Sequence, residues 1–364
     1  MLLFLLALAV SAAATLLLVR SARSHGHLSA DADMSGPQKF HVRAVPRVGG
    51  IGIACGLAAA IFVYASRVGD AGSALAIGLL ACGLPAFAAG LTEDLTKRVA
   101  PRYRLAATAL SALLAVHVLG ATIARTDLWG LDWVASYPAG AAFLAVFVVA
   151  GIANAVNIID GFNGLASMCV VMMLLAITYV AYQVGDSTIA SLALIGAGAV
   201  LGFFVWNYPA GLIFLGDGGA YFLGFYVAEL SILLLHRNPD VSPLFPLLMA
   251  IYPVFETLFS MYRRKFVRGQ AMGMPDGVHL HSLIYRRVLR WAIGSRDAKQ
   301  LTRRNSMTAP YLWLLCLLAI VPSLLWWDDS RVLGGFIVLF GVGYVLLYAS
   351  IVRFRAPRWM VLRR

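Results

Sequence analysis

Charge is what this chain has least of. Only 13% of its 364 residues are Asp, Glu, Lys or Arg, whereas a soluble domain carries about 25%. A fold with a solvated surface all round is therefore excluded. Acids are scarcest, 17 against 29 Lys and Arg, so each acid in an apolar setting is a candidate for chemistry. Cysteine is rare too. Cys55, Cys82, Cys169 and Cys316 lie in apolar surroundings and show no C-x-x-C spacing, which argues against a disulfide framework or a metal cluster and for plain packing. The first apolar run lacks a basic segment before it and carries its positive charges after it, so it reads as a retained span and not a cleaved signal.

What is present is long apolar sequence, 61% hydrophobic with a mean hydropathy of +0.82. A span needs about 20 apolar residues. Eleven are expected, at about 2–19, 51–66, 72–91, 105–123, 140–156, 165–184, 189–206, 222–235, 244–262, 310–327 and 332–352. The fold class is thus an all-α, polytopic integral membrane protein. With the N-terminus outside, all of the 29 Lys and Arg except Arg67, Arg125, Arg237 and Arg331 fall on the inner side, which puts the C-terminus in the cytoplasm. Residues 1–364 are expected to form one transmembrane domain with cytoplasmic loops at about 20–48, 92–104, 157–164, 207–220 and 263–309. The net charge of +12 is confined to that face, so it points to anionic membrane lipids and anionic substrates and away from nucleic acid.

Polar motifs cluster at the same face. Residues 154–165 read N-A-V-N-I-I-D-G-F-N-G-L, with Asn154, Asn157, Asp160 and Asn163 recurring every three residues. On a helix that spacing draws a slowly drifting polar stripe, read either as a polar helix end or as one wall of a cavity. The first loop ends H-V-R-A-V-P-R-V-G-G, in which Arg43, Arg47 and the glycine pair could cradle an anion. The second opens with Glu93-Asp94 followed by Lys97, Arg98, Arg102 and Arg104. The two acids either pair with cations, Glu93 with Lys97 at i,i+4, or hold a metal. The fourth, W-N-Y-P-A-G-L-I-F-L-G-D-G-G-A, sets Asp217 in a glycine frame three residues after Phe214, an aromatic able to stack on a base. The fifth carries D-G-V-H-L-H-S, where His279 and His281 lack the nearby Cys or acids of a zinc site and suit phosphate or sugar contacts better. Beyond it, Ile284, Val288, Trp291 and Ala292 oppose Arg286, Arg287 and Arg290, the pattern of a helix lying on the membrane surface. Glu229 and Glu256 have no role assigned from sequence.

Together these motifs resemble one family, the polyprenyl-phosphate N-acetylhexosamine-1-phosphate transferases of glycosyltransferase family 4. P-R-V-G-G, the acidic pair, N-A-V-N-I-I-D-G, N-Y-P-A with F-L-G-D-G-G, and D-G-V-H-L-H occur in the family's order over about residues 41–290. The resemblance implies transfer of a sugar 1-phosphate from a UDP-N-acetylhexosamine to a polyprenyl phosphate such as undecaprenyl phosphate, with Mg²⁺ (or Mn²⁺) as cofactor and UMP released. It implies that Asp217 and Asn157 serve the metal. Asp94 would activate the lipid phosphate, with Glu93 beside it and Lys97 as basic partner, and Asp160 is the acid of the D-G motif. Asn207, Phe214 and Asn163 match uridine-pocket positions, and His279 and His281 the histidine motif at the donor's sugar-phosphate end. Arg43, Arg47 and Arg102 supply positive charge for phosphates. The location would be the plasma (inner) membrane, and assembly as a homodimer is left open.

Three positions depart from the family pattern. Glu93 stands where the first Asp is usual, Asn163 replaces a common Asp, and Ser282 follows His281 where the muramoyl-pentapeptide branch has a third histidine, which disfavours a peptidoglycan precursor as donor. Rival readings are weaker. A CDP-alcohol phosphotransferase needs Ala-Arg soon after the D-G and acids on the next span, but F-N-G-L follows and 165–184 holds no acid. A secondary transporter gathers its polar groups near the midplane, whereas these lie at span ends. A lipid-binding protein without activity would be consistent with Glu93.

Overall fold

The computed structural model describes residues 1–22, 30–31, 45–267, 269, 277–289 and 298–354. The only strands among them are the antiparallel two-residue pair Ala30–Asp31 and Val45–Pro46. Everything else among them is helix and connection, including the short helices α6 (Leu131–Ala135) and α13 (Leu280–Leu283).

The organising element is α10 (Gly216–Arg237), in which every residue from Gly216 to Leu234 is buried. Around it pack α2 (Gly49–Ala65), α4 (Leu84–Thr96), α5 (Pro101–Leu119), α7 (Pro138–Ile159), α8 (Leu165–Gln183) and α9 (Ser187–Asn207). A helix that is apolar and small-residue-rich on all sides can only be stable when enclosed this way. The first helix, α1 (Leu2–Arg20), buries Ala7, Ser11 and Thr15 against α2 and α9, and the Trp206 Nε1–H donates to the Ala12 carbonyl at 2.9 Å. Small residues at four-residue spacing let these backbones approach closely, as packing within a bilayer requires.

Among the described residues, eight helices are long and apolar enough to cross a membrane: Leu2–Arg20, Asp70–Thr96, Pro138–Ile159, Leu165–Gln183, Ser187–Asn207, Gly216–Arg237, Lys299–Leu325 and Ser330–Val352. The protein is therefore a multi-pass membrane protein. The other three expected spans are helical but different in kind. Gly49–Ala65 is apolar but short. α5 carries Arg102 and Arg104 in its first turn, and 244–262 divides at Ala250 into α11 (Leu244–Met249) and α12 (Ile251–Tyr262).

Boundaries shift where polar residues continue a helix. α10 begins at Gly216, so the G-D-G-G sequence belongs to its first turn and not to a loop. The helix Ala298–Leu325 (α14) begins well before the apolar run, and Ser330–Val352 (α15) follows it. Asp70–Thr96 bends at Gly83, between α3 (Asp70–Cys82) and α4, where Phe222 and Phe225 of α10 press on the glycine.

Candidate active site

Three backbone segments meet at the start of α10. The Phe214 N–H donates to the Pro46 carbonyl at 2.8 Å, and Gly49 and Gly50 donate to the carbonyls of Phe214 and Leu215 at 3.0 Å each. Gly216 then turns the chain into the helix with φ +78°, a conformation that a side chain would strain. From the other side α4 touches the same turn, because a Cβ on Gly90 would fall 2.5 Å from the Gly218 nitrogen. The glycine frame read around Asp217 is thus the means by which backbones crowd together. Its effect is to bring Asp94, one turn beyond Gly90, onto the end of α10.

Asp94 is buried, and its two oxygens accept the N–H groups of Asp217 and Gly218 at 2.9 Å each. A carboxylate there caps the helix and answers the positive end of its dipole. Arg47 reaches both acids, with Nε 3.8 Å from Asp94 Oδ1 and Nη2 3.2 Å from Asp217 Oδ1. Arg104 pairs with the other oxygen of Asp217. Asp160 faces the same point from the end of α7. Loss of water pushes its carboxyl up to about 7, against the pull of the Arg47 guanidinium and the Gly216 N–H.

Asn157 bonds the Tyr221 hydroxyl, which also lies 3.4 Å from Asn154 Oδ1. Tyr221 follows Asp217 by one turn, and the Arg104 guanidinium lies 5.8 Å from its ring centre. The stripe of Asn154, Asn157 and Asp160 therefore faces the head of α10, while Asn163 has left the helix.

The acidic pair divides. Asp94 points into the site, whereas Glu93 Oε2 accepts the Val99 N–H at 2.7 Å and closes the turn between α4 and α5. The Lys97 ammonium donates to the Asp94 carbonyl at 2.8 Å from a left-handed helix cap. Arg102 is exposed and stacks on its neighbour Tyr103, 4.9 Å from the ring centre, away from the acids. Arg104 occupies the site in its place, and the sequence held a signal for it. It falls on the face that continues through the buried Thr108, Ser111, Ala112 and Ala115.

Two expected uridine contacts are deeply engaged. Asn207 takes the Gly164 N–H on Oδ1 at 2.6 Å and gives Nδ2 to the Ile213 carbonyl at 2.8 Å. Asn163 donates its backbone N–H to Asn305 Oδ1 at 2.9 Å and its amide to Ser306 Oγ at 3.2 Å, and Trp313 Nε1 donates to the Gly164 carbonyl at 3.1 Å. The D-G-F-N-G turn is thereby tied to α9 and α14. Phe214 is half-buried. Arg43 lies outside the described residues, as do Arg290, Trp291 and Ala292 of the expected surface helix; Ile284 and Val288 of that pattern are buried.

The histidines close the far side. His279 and His281 stack with ring centres 5.0 Å apart, and His281 meets Phe162 edge-on at 5.4 Å, beside Gly161. Glu256, buried on α12, takes His279 Nδ1 at 2.9 Å and the Leu280 N–H at 3.2 Å on one oxygen, and the Tyr344 hydroxyl at 2.6 Å on the other.

Hard oxygen donors thus converge with guanidinium groups at one end of a buried helix. Among the described residues no three His, Cys, Asp or Glu side chains form a group that could hold a metal ion by themselves. What is present is an open set of carboxylate and amide oxygens, which is the kind Mg²⁺ uses when it keeps waters and shares a substrate's phosphates.

The glycosyl transferase family 4 model matches residues 76–235, which carry Asp94, Asn157, Asp160 and Asp217. A Bacillus subtilis protein described as a probable undecaprenyl-phosphate N-acetylglucosaminyl 1-phosphate transferase is 29% identical over 261 residues, covering 68% of this chain and 68% of the relative. A Thermotoga maritima undecaprenyl-phosphate alpha-N-acetylglucosaminyl 1-phosphate transferase is 29% identical over 259 residues, 71% of this chain and 74% of its own. A Streptococcus agalactiae phospho-N-acetylmuramoyl-pentapeptide-transferase is 33% identical over 144 residues, 39% of this chain and 42% of its own. With the motifs in family order and their acids gathered at one site, the chain is similar to glycosyl transferase family 4 over residues 76–235.

Proposed function

We propose that this protein transfers an N-acetylhexosamine 1-phosphate, from UDP-N-acetylglucosamine or a related UDP-N-acetylhexosamine, to undecaprenyl or another polyprenyl phosphate. UMP leaves, and the product starts a cell-surface polysaccharide at the cytoplasmic side of the plasma membrane. The observation that carries this reading is the meeting of Asp94, Asp160 and Asp217 with Arg47 and Arg104 at the head of α10. Phosphoryl transfer is catalysed mainly by positioning and by offsetting charge, and a site with both signs can hold two phosphates and a cation together. The two N-acetylglucosaminyl relatives, covered over more of their length than the muramoyl-pentapeptide one, support the choice of donor.

In this reading Arg47 and Arg104 hold phosphate oxygens, turning from Asp217 toward the diphosphate. Asp217 and Asn157 would hold Mg²⁺, with Mn²⁺ as the alternative, and the bound ion would offset charge on the phosphate being transferred. Asp94 fixes the head of α10, so that Asp217 meets the substrate at a set height. Asp160 sits where it can orient the attacking lipid phosphate. The uracil end of the donor lies by Phe214, on a surface whose shape Asn163 and Asn207 maintain, and His279 and His281 face the sugar-phosphate end. The lipid tail stays among the spans while its phosphate stands at the interface. Purified protein given a panel of UDP-N-acetylhexosamines with undecaprenyl phosphate tests this. Mass spectrometry should find a lipid diphosphate N-acetylhexosamine; no such product from any donor would overturn the proposal.

A further inference from the structure

Glu256 lies more than twenty residues from the histidine motif in sequence, yet the fold buries it against His279. One of its oxygens holds both the ring nitrogen Nδ1 at 2.9 Å and the Leu280 backbone N–H at 3.2 Å, so ring and peptide are fixed by a single atom. The other takes the Tyr344 hydroxyl of α15 at 2.6 Å. The next turn of α15 secures the same segment, because the Tyr348 hydroxyl donates to the Val278 carbonyl at 3.1 Å and Arg263 donates to that carbonyl at 3.0 Å. A carboxylate in this place accepts the Nδ1 proton, which leaves Nε2 as the nitrogen that can serve a ligand. His281, stacked on His279, abuts Gly161 of the D-G turn, so this pair borders the acids at α10.

We propose that Glu256 is a positioning residue for the transfer reaction: it fixes the orientation and tautomer of His279 so that Nε2 is presented to the donor's phosphates, and Tyr344 fixes Glu256 in turn. A buried carboxylate needs donors whatever its role, so what matters is which segments supply them. Among the described residues, every donor on Glu256 comes from the histidine segment or from α15, which braces it. The inference rests on the transfer reaction proposed above, and its test separates the two.

The test is a double-mutant cycle of Glu256→Gln and His279→Gln in full-length protein in nanodiscs, read as UMP released from the UDP-N-acetylhexosamine that the donor panel selects. Glu256→Gln keeps the size of the side chain and is expected to lower kcat/KM for the donor by about one to two orders of magnitude, the usual consequence of losing a carboxylate behind a functional histidine. In the His279→Gln background the same change should cost less than about twofold, because a residue that acts through another has nothing left to act on. Tyr344→Phe, a milder change that leaves the core packed, should show a smaller loss that also vanishes in that background. The ¹⁵N spectrum of His279 should show the Nδ1–H tautomer in wild type and a mixture in Glu256→Gln. Additive losses in the cycle, or wild-type kinetics for Glu256→Gln, would overturn the proposal. If the wild type released no UMP from any donor, the transfer reaction would fall, and the tautomer would still decide whether Glu256 sets His279: an unchanged spectrum in Glu256→Gln refutes it.

Discussion

Helix α10 has carboxylate–arginine pairing at each end, and the two ends are built in opposite ways. At the Arg237 end Asp186 caps α9 by accepting the Ile189 N–H at 3.1 Å, and takes Arg237 Nε at 2.6 Å, Arg237 Nη2 at 3.2 Å and Asn238 at 3.2 Å. Burial raises the Asp186 carboxyl, but Arg237, the Ile189 N–H and Asn238 outweigh it and hold it below the usual carboxylate range. The set is closed. At the Asp217 end three acids face Arg47 and Arg104, and the buried Arg104 Nε has no hydrogen-bond partner among the described residues. Similar groups therefore serve as a clamp where they satisfy one another and as a site where their charge is left to be met by a ligand.

Substitutions at the two ends sharpen this contrast. The largest effect should follow Asp217→Asn, which is expected to lower UMP release by about 10²–10³-fold or more with thermal unfolding in detergent close to wild type. Asp217→Asn with near-normal turnover would place the chemistry elsewhere. Arg104→Ala should cost about 10–100-fold in kcat/KM, whereas Arg102→Ala, on the exposed face, should cost less than about twofold, and equal losses would erase the distinction drawn between them. Asp186→Asn keeps a capping side chain but loses the charge paired with the half-exposed Arg237, and should leave kcat unchanged while lowering stability by about 1 kcal/mol. The sign with pH follows from its depressed folded-state value: the stabilisation is present above the ordinary carboxylate range and is lost as pH falls through the folded value. Melting curves from pH 7 down to 3 should thus converge for wild type and Asp186→Asn. The smallest effect on stability should be that of Glu93→Gln, which loses charge on the Val99 turn; about 0.5 kcal/mol is expected, with a change of less than about twofold in kcat.

The membrane class, most helices and the acids of the candidate site are legible in the sequence, because apolar runs and isolated charges are local signals. Asp217 was legible from its glycine frame alone. Arg104 was passed over for Arg102, since a stretch of loop arginines gives no face until the helix that begins at Pro101 is recognised. Glu256 and Asn305 were not legible, because their partners His279 and Asn163 are distant in the chain and are joined only by packing. The Glu93-Asp94 pair read as one feature, but successive helix positions diverge by about 100°, and one acid turns inward while the other closes a turn. The uridine-pocket expectation for Asn163 and Asn207 came from resemblance, and the hydrogen bonds of both amides to neighbouring segments were beyond what local sequence could show.

If the site holds a diphosphate for attack at phosphorus, as proposed, the spent nucleotide shows it, because the bond that breaks decides which nucleotide leaves. Wild-type protein with the accepted UDP-N-acetylhexosamine and undecaprenyl phosphate should release UMP in equal amount to the lipid diphosphate sugar formed, and Asp217→Asn should release almost none. Attack at the sugar carbon would break the other bond and require stabilisation of an oxocarbenium-like centre. UDP as the stoichiometric product would contradict the account even if sugar reached the lipid.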